Sequence, residues 1–411
     1  MSIFNIKFYI YVSAILTLFI SATLLDNLGY QITMEYAPLY YKLHPSFILM
    51  FILITYYLLP NLISRDMNIV RIYLNKKNEF HFLFFLFFLT IYILIMKLSG
   101  AIASIPNTLI LPLFFSILLN RNDISFLKKL RKLLLIFFIL NSSMAITEMF
   151  LKYSFLRDST SYYTHFRSTA LLGHPLNNAL ITSVIMAFIL TSAMNEYRKQ
   201  LLMLLGLFSL LCYGARAAVF TWCVMLPIYI VFFVPAIKSF VSPFGKIIRI
   251  GTMIGVILIF IFLITQTPYG ARINEMSGMD DASAETRLLA LDFFKNLKMQ
   301  DVLLGAPVTK MAIYQDYLGV DIIENFWIAW IIRFGLIMTL LLTFFFIKFL
   351  YNNAEYHGKF SSFFIPLVFL AIASSNNSLA TTTPVISVYV LCSYAFNPFL
   401  ASYRLISHRQ L

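Results

Sequence analysis

Between residues 8 and 397 the chain is a succession of apolar runs, most of them about as long as a helix needs to cross the hydrocarbon layer of a bilayer, separated by short polar intervals. The runs place spans near 8–25, 46–63, 80–97, 104–119, 133–151 and 176–194, and six more near 201–215, 217–236, 250–266, 326–349, 361–375 and 384–397. Those starting at 201, 361 and 384 are short, as tilted or re-entrant helices would be. The expected fold is all-α, a polytopic membrane protein of about 12 transmembrane helices forming one integral domain over residues 1–411. A composition of 60% hydrophobic and only 12% charged residues excludes the soluble globular class.

The formal charge of +13 does not point to nucleic acid, because the basic residues fall in short clusters between apolar runs. Arg65, Arg71, Lys76 and Lys77 form one cluster, and Arg121, Lys128, Lys129, Arg131 and Lys132 another. Arg198 and Lys199, then Lys238, Lys246 and Arg249, then Lys359 continue on the same side. By the positive-inside rule these loops are cytoplasmic, as are both termini of a multi-pass protein of the cytoplasmic (inner) membrane. The first run follows a single lysine, Lys7, is too long for a signal-peptide core, and reads as a retained span. Cys212, Cys223 and Cys392 have no paired spacing and read as packing residues rather than a disulfide framework or zinc site.

The opposite, extracytoplasmic side then receives 28–45, 152–175, the turn at Gly214-Ala-Arg216, 267–325 and 376–383. The interval 267–325 is the only long polar one and is expected to carry the active site. Within it, Ser283-Ala-Glu-Thr-Arg287 caps a helix whose Leu288, Leu291, Phe294 and Leu297 form an apolar stripe. Leu303-Leu-Gly-Ala-Pro307 reads as a turn, and Glu324-Asn-Phe-Trp-Ile-Ala-Trp330 opens the next span. The smaller loop 152–175 holds Arg157, Tyr162, Tyr163, His165, Arg167 and His174. Its tyrosines suit sugar rings, and they equally suit any membrane interface.

Chemistry is suggested by convergence. Arg167, Arg216, Arg272 and Arg287 come from separate loops on one side of a charge-poor protein. Singly, each reads as solvated or as snorkelling to headgroups; as a set they suit bidentate binding of a diphosphate. Glu324, at a membrane boundary beside Asn325, reads as a general base, although a helix-start carboxylate is also ordinary. Asn325, His174 and Tyr163 are the candidate substrate-binding residues. Arg333 lies about half a helical rotation from Glu324 and stays outside the site. The one adjacent acidic pair, Asp280-Asp281, reads as a solvated turn. With no Asp-x-Asp, His-Glu-x-x-His or Gly-rich phosphate loop, neither a metal nor a nucleotide-sugar donor is expected, and no cofactor.

These features together resemble the O-antigen ligase and Wzy-type polysaccharide polymerase superfamily of membrane glycosyltransferases, over roughly the second half of the chain. The resemblance rests on Arg-x-x-x-Leu-Leu-Gly-His-Pro over 167–175, the small-Arg-small turn at Arg216, the Ser-x-x-x-Arg helix start at Ser283 to Arg287, and Leu303-Leu-Gly305. Glu324-Asn-Phe-Trp-Ile328 followed by Arg333-Phe-Gly335 matches the His-Asn-x-x-Leu start and the Arg/Glu-x-Gly step of the family. Where its ligases carry histidine this chain has Glu324, and the turn reads Gly-Ala-Pro rather than Gly-x-Gly. The resemblance implies polymerisation of undecaprenyl-diphosphate-linked oligosaccharide repeats (O-antigen, capsule or exopolysaccharide) without metal on the outer face of the membrane. In that scheme Arg216 and Arg287 hold the diphosphate, Arg167 and Arg272 assist, and Glu324 is the base. Implied partners are the lipid-linked glycan, the bilayer, and a chain-length regulator or flippase of the same pathway. Two alternatives stay open: a ligase moving finished glycan to lipid A-core or another acceptor, and a polysaccharide transporter or flippase without catalysis.

Overall fold

The computed structural model describes residues 3–30, 42–63, 76–98, 102, 104–119, 123–156, 166–233, 251, 255, 294–307, 309–310, 313 and 323–398. Among them the protein is helical, with no strand beyond one isolated bridge between Leu98 and Pro307. In chain order the helices are α1 (Ile3–Phe19), α2 (Ala22–Asn27), α3 (Pro45–Ile63), α4 (Lys77–Met96), a π-helical stretch (Ile105–Ile110) running into α5 (Leu111–Leu119), and α6 (Ile124–Leu151). They continue with α7 (Pro175–Thr191), α8 (Glu196–Cys212), α9 (Arg216–Phe233), α10 (Met299–Leu304), α11 (Phe326–Phe334), α12 (Leu336–Ala354), α13 (Lys359–Ala373) and α14 (Val385–Ala395). The expected span 250–266 lies outside the described residues apart from Gly251 and Gly255.

Apolar sequence sets the layout. Helices α7 and α14 are hydrophobic all round and form the buried centre: every side chain of α14, and every one of α7 from Asn178 onward, is buried. Around them pack α5, α6, α8, α9, α12 and α13, with α1 and α3 paired at one flank. The outer faces are apolar too. Phe84, Phe87 and Ile95 of α4, Leu340 and Phe344 of α12, Phe220 of α9 and Phe363 of α13 are all exposed. Exposed aromatic and aliphatic side chains in this number are compatible with insertion in a membrane. Three helices, Lys77–Met96, Ile124–Leu151 and Leu336–His357, are long and apolar enough to cross a membrane, and seven shorter apolar helices accompany them among the described residues.

Several boundaries differ from those read in the sequence, each for a physical reason. The run 8–25 breaks after α1, because the His44 ring bonds the Ile20 carbonyl through Nε2 at 2.8 Å and Ser21 caps α2 by accepting from the Leu24 amide. Helix α6 starts at Ile124 rather than 133: Asp123 caps it, accepting from the Phe126 amide at 2.8 Å, and Lys128, Lys129 and Lys132 lie on its exposed side instead of in a loop. The Lys7 ammonium, 2.5 Å from Asp123, together with the Phe126 amide and the Ser125 hydroxyl, holds that carboxyl down at about 2.

Lys76 is another correction. Expected in a cytoplasmic loop, it is buried at the start of α4, its Nζ 2.6 Å from Tyr394 Oη, 3.0 Å from Glu79 Oε1 and 3.3 Å from Ser116 Oγ. Ser116 bonds Asn353 in turn, so one cluster ties α4, α5, α12 and α14. The expected span 326–349 is also two helices, broken at Gly335 (φ 83°, ψ 157°), a conformation open essentially only to glycine. The backbone of the preceding turn fills the space where its side chain would be: a Cβ there would lie 2.4 Å from the Leu303 carbonyl oxygen and 2.7 Å from the Gly305 nitrogen. The Ala306 amide donates to the Ile332 carbonyl at 2.8 Å, and Tyr92 Oη donates to that of Leu304 at 2.5 Å. The Leu303–Ala306 part of the large polar interval is thus clamped onto the α11–α12 elbow.

Two consequences are measurable in purified protein by thermal unfolding in detergent. Lys76→Met leaves Glu79 buried without its cation and is expected to lower stability by about 3–5 kcal/mol, with most of that recovered when Glu79→Leu is added. Gly335→Ala forces both a left-handed backbone and a clash with Leu303, and is expected to cost at least about 1–3 kcal/mol; an unchanged melting temperature would contradict the clamp.

Candidate functional site

Hydrogen bonds between segments gather at one end of the bundle the starts of α3, α7, α9, α11 and α14 and the ends of α4, α6, α8 and α13. These are the polar intervals that the charge pattern assigns to one side. Helix starts carry unsatisfied amides and the positive end of the helix dipole, so such an end favours anions.

The stretch 166–175 is laid across this end, and its residues 167–171 are bonded in turn. The Ser168 amide donates to the Cys212 carbonyl at 3.0 Å, and Arg167 Nε donates to the Tyr213 carbonyl at 3.0 Å. The buried carboxylate of Glu148, near the end of α6, accepts from Ser168 Oγ at 2.6 Å, Thr169 N at 2.8 Å and Ala170 N at 2.9 Å, all on Oε2. Its Oε1 accepts from Phe155 N at 2.9 Å. Asn141 accepts from Leu171 N at 3.2 Å and donates to Tyr213 Oη at 2.9 Å. Asn178 Nδ2 donates to the Thr169 and His174 carbonyls. Arg167 is therefore buried and held on the turn Tyr213–Ala215 that leads directly to Arg216, the half-buried first residue of α9.

A second strip of the same end is organised by the turn 374–383. The Phe326 amide donates to the Asn376 carbonyl at 3.0 Å, Asn325 Nδ2 to the Ser374 carbonyl at 3.2 Å, and Trp327 Nε1 to Ser374 Oγ at 2.8 Å. Asn325 also caps α11 through Oδ1, accepting from the Trp327 and Ile328 amides. Arg333 Nη1 donates to the Ala380 carbonyl at 2.6 Å, so this arginine serves the turn. From its other side the turn reaches α7, Ser378 Oγ donating to Asn177 Oδ1 at 2.6 Å, and the π-helical stretch, where Thr108 Oγ1 donates to the Thr381 carbonyl and accepts from the Thr383 amide. Asn107, the neighbour of Thr108, donates to the Lys42 carbonyl and accepts from the His44 amide. Burial holds the His44 imidazole below its ordinary range, which leaves it neutral.

The structure thus brings Arg167 and Arg216 to one corner. A continuous hydrogen-bonded belt runs from that corner through 168–171 and the start of α7, where half-buried His174 sits at the cap position, to the turn 374–383 and on to Asn325 and its half-buried neighbour Glu324. Arg272, Arg287, Tyr163 and the helix start at Ser283 lie outside the described residues. Glu148, Asn141 and Asn177 were missed in the sequence reading. For Glu148 a signal existed, since an ionisable residue inside an apolar run of this length is a site candidate by default. Asn141 and Asn177 carry no such mark. Among the described residues no group of three His, Cys, Asp or Glu side chains is placed to hold a metal ion. What the corner offers is permanent guanidinium charge beside helix starts, an arrangement suited to a phosphate-bearing group. Compared with known proteins, the chain matches no family model and no curated protein.

Proposed function

We propose that the chain is a glycosyltransferase of the cytoplasmic membrane that polymerises undecaprenyl-diphosphate-linked oligosaccharide repeats on the outer face. The seven shorter apolar helices, together with α8 and the apolar run 250–266, would complete about twelve crossings, with both termini in the cytoplasm. The observation that carries the reading is the belt joining the Arg167–Arg216 corner to Glu324–Asn325 at one end of a lipid-exposed bundle. A lipid diphosphate has its headgroup at that depth, and its tail requires an apolar flank such as these helices present.

In this scheme the acceptor hydroxyl gives its proton to the Glu324 carboxylate as its oxygen attacks the anomeric carbon of the donor glycan. The bond from that carbon to the diphosphate oxygen breaks, and the lipid diphosphate departs with its new charge against Arg167 and Arg216, joined by Arg272 and Arg287. Fixed cations in a low-dielectric site stabilise that developing charge without a metal. His174, Asn325 and Tyr163 would line the sugar path. A chain-length regulator or flippase of the same pathway would work beside it.

The test is made in cells. Arg216→Ala and Glu324→Gln, each expressed and inserted normally, are expected to lower polymer formation by about ten- to a hundredfold, the equivalent of one charge-assisted contact of about 1.5–3 kcal/mol. Single lipid-linked repeats should accumulate. Full-length polymer at normal levels from either variant would reject its role, and long lipid-linked chains in a deletion strain would make the protein a ligase instead.

A further inference from the structure

We infer that Glu148 is a positioning residue for Arg167, setting the guanidinium against the diphosphate; the inference rests on the diphosphate reading above. A carboxylate with no exposed surface near the end of a long apolar helix is costly unless its lone pairs are answered, and this one is answered by four donors: Phe155 N, Ser168 Oγ, Thr169 N and Ala170 N. Three of the four belong to the residues directly after Arg167. The amides of 168, 169, 170 and 171 are bonded in turn to the Cys212 carbonyl, Glu148, Glu148 and Asn141. A run of successive backbone amides is the kind of cradle that otherwise closes on an external anion, and here an internal carboxylate fills it.

The fit is specific for a charged acceptor. Both carboxylate oxygens face only donors, so glutamine in either orientation sets an NH2 group against an N–H or O–H. The backbone also depends on it, because Ala170 sits at φ 38°, a left-handed conformation that a non-glycine residue holds only where its surroundings impose it. Arg167 itself is fastened at its side chain to the Tyr213 carbonyl and at its following amide to that of Cys212. Releasing the 168–170 side of this clasp frees the backbone that aims Arg167 while leaving Arg216 on its own helix.

The experiment uses the full chain in lipid nanodiscs, with farnesyl diphosphate as the probe and farnesol as its diphosphate-free control. Glu148→Gln is expected to weaken farnesyl diphosphate binding about tenfold, to leave farnesol binding unchanged, and to add nothing in an Arg167→Ala background. Glu148→Asp should recover part of the loss. Native affinity in a folded Glu148→Gln protein, or a loss that adds in full to that of Arg167→Ala, overturns the proposal. If Glu148→Gln does not assemble, Ser168→Ala decides by the same cycle, since it removes one donor only and should give a smaller loss that again vanishes without Arg167. A wild-type protein that binds farnesol as well as farnesyl diphosphate would defeat the diphosphate reading itself, an outcome distinct from failure of the Glu148 assignment.

Discussion

A helix that stops inside or at the edge of an apolar slab leaves amides and carbonyls that lipid does not bond, and each must be answered from within the protein. The answer here comes each time from a distant segment. His44 bonds the carbonyl that α1 abandons at Ile20, and Asn107 takes the amide of His44 in return. Tyr92 caps the carbonyl of Leu304, the Asn376 carbonyl takes the Phe326 amide at the start of α11, and Glu148 takes amides from a stretch that belongs to no long helix. Each of these bonds ties together two segments far apart in the chain. What would otherwise be separate connections at one end of the bundle becomes a single stitched surface, and the candidate site is part of that surface.

The two ends of the bundle solve their electrostatics differently. At the basic end, charges are neutralised by other charges: Lys7 with Asp123, Lys76 with Glu79, Lys199 with Glu196. The Lys76 cluster, buried among four helices, adds little net stability compared with apolar packing, but losing one member leaves the others buried without a partner. At the other end Lys310 pairs with Asp301, and the residues of the candidate site are held by backbone and amide groups. Arg167 and Arg333 both donate to carbonyls, and Glu148 accepts from amides and a hydroxyl.

Hydropathy made the class of fold legible, and the alternation of basic intervals made the two ends legible, because both follow from local composition. Boundaries were less so. Gly335 divides a run that is apolar from end to end, and what divides it is the backbone of Leu303 to Gly305 pressed against it, a contact more than twenty residues away in sequence. Lys128, Lys129 and Lys132 look like a loop until Asp123 is seen to start the helix ahead of them. Of the site, Arg167 and Arg216 could be picked out by their scarcity, and their meeting could be guessed from topology. The order of the belt between them and Asn325 could not, since it is written by asparagines and serines such as Asn177 and Ser378, which are common in any chain.

The way Glu148 is satisfied bears on how the site is framed. Three backbone amides and one hydroxyl donate to it, and they fix the root of the 168–170 stretch directly after Arg167. A guanidinium presents a planar fork of donors suited to phosphate oxygens, and Arg167 and Arg216 bring two of them to one corner. That corner lies beside the start of α9 and within a bonded frame that resists rearrangement. In the proposed function such a frame would reorganise little as further charge develops on the departing diphosphate, the condition under which fixed cations stabilise a transition state.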